Sequence, residues 1–327
     1  MSKEKVISIA AVMEKSGVNF GTSGVRGQVV DLSNEVCWAY AVGFIQYLQE
    51  TKQLQSGATV GIAGDYRTST DRMMGVLSQA IVDKGFEPVN LGKIPSPALA
   101  LYGLKHNMST MMVTGSHIPE DRNGIKFNTA LGEILKPDEQ GIRAQVITIP
   151  AGKFTPGGAL VREPSLPPID GSAKAEYVKR YLNFFPKSAL QGLSIGLYEH
   201  SSVSRESLYE ILTGLGARVM LLGRTDAFIS VDTEAIRPED VALAALWSKE
   251  HGFDCIISTD GDGDRPLISD EKGVWLRGDV AGVLCAQYLA ADAVITPVNG
   301  NSALELSGLF NYTQRTQIGS PYVIAGM

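Results

Sequence analysis

The sequence lacks any run of about 18 consecutive apolar residues, so no membrane-spanning helix is expected. It also lacks an excess of positive charge. Its 29 Lys and Arg stand against 35 Asp and Glu, a net charge of −6. That balance speaks against a general nucleic-acid surface and leaves room only for a local basic pocket. Cysteine is scarce: Cys37, Cys255 and Cys285 are odd in number, far apart and in no C-x-x-C pair. A disulfide framework is therefore excluded, and the three read as reduced core residues of a cytoplasmic protein. There is no short-period repeat and no low-complexity tract. With 44% hydrophobic and 20% charged residues, disorder, collagen and coiled coil are excluded as well. The one short apolar run near the start, residues 6–13, is broken at once by Glu14 and Lys15, which argues against a signal peptide. Val6, Ile9, Ala10 and Met13 fall at helical spacing instead and predict an amphipathic first helix.

What is present is length and alternation. At roughly 150 residues per domain, 327 residues hold about two domains and part of a third. The periodicity predicts a helix over 33–49 with Ser33 as its N-cap, a strand over 58–63, a helix over 69–84 ending at Gly85, and a strand over 86–90. A helix opened by Pro97 and a strand over 110–113 follow. Residues 151–171 are rich in Gly and Pro and read as a domain boundary. The alternation then restarts, with strands over 194–198, 218–222 and 254–258 and helices over 203–213 and 238–251. A third round from about residue 273 has helices over 279–290 and 302–309 and a strand over 293–297. Strands alternating with helices predict parallel βαβ units and an α/β class.

Three segments carry chemistry. In Met111-Met112-Val113-Thr114-Gly115-Ser116-His117-Ile118-Pro119 a buried strand runs into a polar turn, with Asn123-Gly124-Ile125-Lys126 downstream. Ligands of open α/β sheets bind at the carboxyl ends of strands, and Ser116 stands at one. A serine oxygen accepts and donates a phosphoryl group when a cation and a proton carrier stand beside it. Lys126 and His117 are candidates for those neighbours, and an ordinary capping loop is the alternative. In Ser258-Thr259-Asp260-Gly261-Asp262-Gly263-Asp264-Arg265 three carboxylates alternate with glycines after a buried run. Unpaired they repel, so a hard divalent cation such as Mg²⁺ is their natural occupant. An EF-hand is excluded because Arg265 stands where its invariant Gly belongs and the flank reads as strand. Arg265 is placed to pair with the aspartates or to reach a phosphate. The third segment, Asn19-Phe20-Gly21-Thr22-Ser23-Gly24-Val25-Arg26-Gly27, is a glycine-rich loop with two hydroxyls and an arginine, suited to phosphate. The turn Gly64-Asp65-Tyr66-Arg67-Thr68-Ser69 also carries an arginine, read as a structural ion-pair partner.

Together these segments resemble the α-D-phosphohexomutase family of phosphomannomutases and phosphoglucomutases. That family carries a Phe-Gly-Thr-x-Gly-Ile-Arg-Gly start, a Thr-Ala/Gly-Ser-His-Asn-Pro serine loop with Asn-Gly-x-Lys beyond it, and an Asp-Gly-Asp-Gly-Asp-Arg loop. All three occur here in order, and the resemblance spans residues 19–327, including Arg315-Thr316-Gln317-Ile318-Gly319-Ser320-Pro321-Tyr322-Val323. It implies consecutive α/β domains, each a mixed β-sheet sandwiched by helices: a serine-loop domain over 1–165, a metal-loop domain over 172–273 and an incomplete third over 274–327. It implies that Ser116 is phosphorylated at rest and that Mg²⁺ is held by Ser116, Asp260, Asp262 and Asp264. The serine then passes its phosphoryl group to a hexose phosphate through a hexose 1,6-bisphosphate. Arg26 and Lys126 match charge-stabilising and proton-moving residues, His117 matches an active-site contact, and Thr22, Ser23 and Arg265 match phosphate or substrate contacts.

The expected activity is interconversion of hexose 1- and 6-phosphates, mannose first and glucose second. A metal-dependent phosphatase or a non-catalytic sugar-phosphate-binding remnant is the alternative. The expected partner is a hexose phosphate, with no nucleic acid, no membrane and a possible homo-oligomer. Three departures stand out. Ile118 replaces the usual Asn. Glu199-His200-Ser201-Ser202-Val203 replaces an Asn-Gly-x-Gly turn, with His200 read as structural. The family's Gly-Glu-x-Ser/Asn-Gly sugar loop and fourth domain do not occur within the 327 residues, so the chain is expected to be truncated and its activity alone is in question.

Overall fold

A computed structural model describes residues 4–327; residues 1–3, the start of the first expected domain, lie outside it. The chain divides into two compact units, one up to Lys179 and one from Arg180.

The first unit opens with β1 (Lys5–Ser8), α1 (Ile9–Ser16), β2 (Asn19–Phe20), β3 (Val25–Gln28) and α2 (Asn34–Glu50). The expected first helix is corrected here: Val6 lies in a strand and is exposed, and the helix begins only at Ile9. The Ser8 hydroxyl caps it by accepting the Ala11 N–H. The spacing that includes Val6 is overridden by pairing with a strand far along the chain, Ile7 opposite Ile147. Ser33 caps α2 as expected, accepting from the Val36 N–H. Next come β4 (Thr59–Gly64), α3 (Thr70–Asp83), β5 (Glu87–Lys93), α4 (Ser96–His106) and β6 (Ser109–Val113). β7 (Arg122–Thr129), β8 (Gly132–Glu133), α5 (Lys136–Ala144), β9 (Val146–Ile149) and α6 (Ser172–Phe184) complete the series.

Seven strands form one sheet in the order β2-β3-β7-β6-β4-β5, with β8 on β7. β4 is parallel to β5 and β6, as the alternation predicts, but β7 and β3 run antiparallel, so the sheet is mixed. Side chains alternate across it. Ile62, Met111, Val113, Ile125 and Phe127 face a large core with α1, α2, α3 and α5. Ala63, Leu91 and Met112 face a smaller one closed by Ala98, Leu99 and Tyr102 of α4 and Ala173 of α6. The Gly- and Pro-rich stretch packs on this unit. Phe154 meets Trp38 edge-on, and the Asn90 side-chain amide donates to the Pro167 carbonyl over 2.8 Å.

The second unit contains β10 (Ser194–Tyr198), α7 (Arg205–Gly214), β11 (Arg218–Leu222), α8 (Pro238–His251), β12 (Cys255–Thr259), β13 (Pro266–Ser269) and β14 (Trp275–Leu276). Their sheet order is β11-β10-β12-β13-β14, parallel around β10 and antiparallel from β12 onward. Tyr198, Ile256, Leu267 and Trp275 pack with Ala244 of α8 on one face. Ile195 packs with Leu212 of α7 on the other. After α9 (Gly278–Tyr288) come β15 (Ala293–Pro297), α10 (Ala303–Leu306), β16 (Tyr312–Thr316) and α11 (Ser320–Gly326). β15 and β16 form a separate parallel pair, and α10 is shorter than the periodicity predicts. The expectation that all three cysteines are core is corrected: Cys37 is buried, Cys255 half-buried and Cys285 exposed, all as free thiols.

Candidate functional site

The serine loop leaves the carboxyl end of β6, beside the carboxyl end of its parallel neighbour β4. Gly64 and Val113 are register partners, and the Asp65 N–H donates to the Val113 carbonyl. The loop is a tight turn in which the Ile118 N–H returns to the Gly115 carbonyl at 3.2 Å. Ser116 takes its second position with φ +55°, a left-handed conformation that costs a non-glycine residue on the order of 1–3 kcal/mol unless its surroundings impose it. They do impose it. The Ser116 N–H donates to Thr114 Oγ1 at 2.7 Å, and Thr114 Oγ1 donates to Asp65 Oδ2 at 2.9 Å. Ser116 Oγ lies 3.2 Å from His117 Nδ1, within hydrogen-bond reach.

Arg67 was read from the sequence as an ion-pair partner, and it is one: Nε meets Asp65 Oδ2 at 3.2 Å with both side chains fully buried. Its larger role went unseen. Nη2 donates to the carbonyls of Ser116 (3.0 Å) and Ile118 (2.5 Å), and Nη1 to those of Pro119 (2.7 Å) and Arg122 (3.1 Å). The whole serine loop is threaded around one guanidinium. Gly115 lies against it so closely that a Cβ there would come within 2.6 Å of Arg67 Cζ.

Arg26 and Lys126 sit on neighbouring strands. Arg26 is the register partner of Gly124, and Lys126 is the partner of Met112 on β6. Lys126 lies two residues beyond Gly124, so Arg26 and Lys126 share one face of the sheet. Two glycines permit the approach of β3 to β7. A Cβ at Gly24 would lie 2.1 Å from the Ile125 carbonyl, and one at Gly124 would lie 2.3 Å from the Val25 carbonyl. Lys126 is buried and Arg26 partly so. Of the two hydroxyls in the glycine-rich loop, Ser23 donates to Glu133 Oε1 at 2.6 Å and Thr22 is exposed. The first unit therefore gathers Ser116, His117, Arg26 and Lys126 around adjoining strand ends and rows.

The aspartate loop is the turn of the β12–β13 hairpin, closed by the pair Thr259–Pro266. Asp260, Asp262 and Asp264 each offer a carboxylate oxygen within 4.8 Å of the others; the first two are buried and the third is exposed. The all-oxygen donor set and its negative charge fit a hard divalent cation. Gly263, at φ +74°, lets the loop fold back, and the Arg265 backbone N–H donates to Asp260 Oδ1 at 3.2 Å. The Arg265 side chain pairs with Glu234 at 3.2 Å and lies 4.0 Å from Asp264. Beneath the loop lies the departure segment. The Val203 N–H donates to the Gly261 carbonyl at 3.1 Å, Ser202 Oγ meets Thr259 Oγ1 at 2.7 Å, and His200 Nε2 donates to the Thr259 carbonyl at 2.8 Å. His200 is wholly buried, as its structural reading requires.

Fold and loops define a chain of α/β units in which one carries a serine hydroxyl in a constrained turn and another an acidic, oxygen-donor hairpin. The chain belongs to the phosphoglucomutase/phosphomannomutase family: residues 17–152 match its alpha/beta/alpha domain I and residues 175–273 its alpha/beta/alpha domain II. Phosphomannomutases of Sinorhizobium fredii and Salmonella muenchen are 44% and 45% identical over 95% and 96% of the chain. The chain spans 65% and 63% of the length of those two curated relatives. A family protein of Burkholderia thailandensis has the same fold, with a TM-score of 0.71 at 20% identity, covering 93% of this chain and 68% of that one. Among the described residues no helix is long and apolar enough to cross a membrane.

Proposed function

We propose that the chain carries the phosphoryl-transfer machinery of a phosphohexomutase, with Ser116 as the phosphoryl carrier and a hexose phosphate as substrate. Mannose phosphates are the first choice, because the two relatives at 44% and 45% identity bear the phosphomannomutase name. In this reading phosphorylated Ser116 passes its group to the free hydroxyl of a hexose phosphate, giving a hexose 1,6-bisphosphate. The other phosphoryl group of that bisphosphate then returns to Ser116. Arg26, Lys126 and Arg265 offset the charge of the phosphoryl oxygens, Thr22 and Ser23 bind phosphate, and His117 takes and returns the serine proton.

Asp260, Asp262 and Asp264 would hold Mg²⁺ with an oxygen on Ser116, and the ion would supply further charge neutralisation to the transferring group. We keep residues 1–165, 172–273 and 274–327 as the proposed domains, and a reducing, cytoplasmic compartment on the strength of three free thiols. The observation that carries the reading is the constrained turn presenting Ser116 beside His117, in a chain that also holds the aspartate hairpin.

The experiment is phosphoryl uptake from mannose 1,6-bisphosphate, and from glucose 1,6-bisphosphate, followed by intact mass and peptide mapping. One phosphoryl group on Ser116, absent from Ser116→Ala, is the expected result. A group on another residue, or none at all, sinks the assignment.

A further inference from the structure

We propose that Arg67 is the positioning residue of the phosphoryl-carrying serine: it fixes Ser116 in its left-handed turn through the backbone and never touches phosphate. The proposal rests on the reading of Ser116 as the acceptor. A guanidinium has five N–H groups in a fixed fork, and five acceptors surround this one: Asp65 Oδ2 and the carbonyls of Ser116, Ile118, Pro119 and Arg122. Four of the five are backbone carbonyls between Ser116 and Arg122, two within the turn and two beyond it, the last at the start of β7. Arg67 is 2% exposed, and Asp65 offsets its charge at 3.2 Å. It is therefore electrically quiet toward an incoming anion, unlike an arginine that binds phosphate.

Asp65 ties the same clamp to the far side of the turn. Its Oδ2 also accepts from Thr114 Oγ1 and the Gly115 N–H, and its Oδ1 from Thr70 Oγ1 and the Arg67 N–H. Thr114 Oγ1 in turn accepts the Ser116 N–H. Asp65, Thr114 and Arg67 thus bond the backbone of Ser116 at both its N–H and its carbonyl. A carrier must be aligned both when it gives its phosphoryl group and when it takes one back, and a displacement of about 1 Å costs on the order of 10²-fold in rate. A lysine in place of Arg67 keeps the charge but offers three donors from a single nitrogen, too few and too closely set to serve four separate carbonyls.

The test compares the wild-type chain with Arg67→Lys and with the near-isosteric Thr114→Val, which removes the acceptor for the Ser116 N–H together with the bond that ties it to Asp65. Uptake of phosphoryl from glucose 1,6-bisphosphate is timed by intact mass over a range of concentrations. Hydrogen exchange of residues 114–122 is followed against the rest of the first unit. The expected result is a maximal rate lower by about 10²-fold in Arg67→Lys and by at least about tenfold in Thr114→Val, with half-saturating bisphosphate within about twofold of wild type. Faster exchange confined to 114–122 accompanies it. If Arg67→Lys does not fold, Thr114→Val decides. Undiminished maximal rates, a loss expressed in half-saturation alone, or exchange raised equally throughout the unit overturns the clamp. A wild-type chain that takes up no phosphoryl group overturns instead the reading of Ser116, and the positioning role of Arg67 with it.

Discussion

His200 and Thr259 are joined by one hydrogen bond, the ring Nε2–H donating to the backbone carbonyl at 2.8 Å. This bond fixes the tautomer: the proton is on Nε2, and Nδ1 is the bare nitrogen, buried with no hydrogen-bond partner. The carbonyl it holds belongs to the residue that leads into Asp260. The backbone of His200 is held in turn, at φ +27°, by its carbonyl accepting from Arg205 Nη1 and the Thr225 N–H. The family's glycine-bearing turn is thus replaced by a residue that accepts backbone strain and gives a direct bond to the base of the aspartate hairpin.

A pH dependence follows. Burial pushes the His200 imidazole down from its ordinary 6.5 to about 4, with Arg237 and Arg205 acting in the same direction and the Thr259 carbonyl and Asp240 opposing. In the unfolded chain the ring protonates near 6.5, so between pH 6.5 and about 4 the unfolded state binds the extra proton. Stability is fully present above pH 6.5 and falls as pH drops toward 4, by as much as roughly 3 kcal/mol. Urea unfolding between pH 7 and 4.5 should show this slope in the wild type and a flatter one in His200→Asn, which tolerates the left-handed backbone and does not titrate. Parallel slopes would remove His200 as the source.

The three aspartates predict opposite signs with and without cation. Asp260 and Asp262 are buried beside one another and beside Asp264, so their charges repel when no cation is bound. Asp262→Asn should weaken Mg²⁺ binding by at least about tenfold in a calorimetric titration. In EDTA it should leave the melting temperature equal to, or above, that of the wild type. Unchanged Mg²⁺ affinity, or a large drop in melting temperature in EDTA, would count against a cation site.

Gly24→Ala tests the strand approach that sets Arg26 beside Gly124. The position has φ +66°, and the new Cβ would lie 2.1 Å from the Ile125 carbonyl and 2.7 Å from Lys126 Cα. Neither is the end of a flexible side chain, so β3 itself must shift. A cost of about 3 kcal/mol in unfolding free energy is expected, from left-handed strain together with overpacking. Phosphoryl uptake at Ser116 should fall beyond what stability explains. Wild-type stability in this variant would mean the two strands are not held in the register described.

The chemistry-bearing loops were legible because chemistry needs their residues close in sequence: Thr114 to His117 at a strand end, and Asp260 to Arg265 alternating with glycine. The clamp on the serine loop was not legible, because four of the five acceptors around Arg67 are backbone carbonyls, which every residue type supplies. Nor was β7, whose only apolar residues are Ile125 and Phe127, too few for a period of two to stand out. It is fixed by pairing with β6 and β3 on its two sides. Val6 was misplaced for the related reason that its pairing partner, Thr148, lies far along the chain. Local pattern thus marked the helices and the serine loop, and long-range pairing decided the mixed sheet and the placing of Arg26 and Lys126 on one face of it.

The thiols give a last prediction, independent of catalysis. Cys37 is buried in α2 with Sγ 3.6 Å from the Leu32 carbonyl, and burial pushes its pKa up to about 12. At pH 8 roughly one such thiol in ten thousand is ionised, and only the thiolate attacks a disulfide reagent. Cys255 is raised too, by burial first and the nearby Asp254 second. Cys285 is exposed on α9. A disulfide-exchange dye at pH 8 should therefore label Cys285 first in the native chain, Cys255 more slowly, and Cys37 only on the timescale of unfolding. Peptide mapping after a short exposure reads the order directly. Unfolding in urea should then release the third equivalent, and its midpoint should coincide with the loss of helical circular dichroism, because Cys37 sits in the core that α2 closes. Early labelling of Cys37 would show that the α2 core opens locally, and would contradict the packing that places β3 and the serine loop.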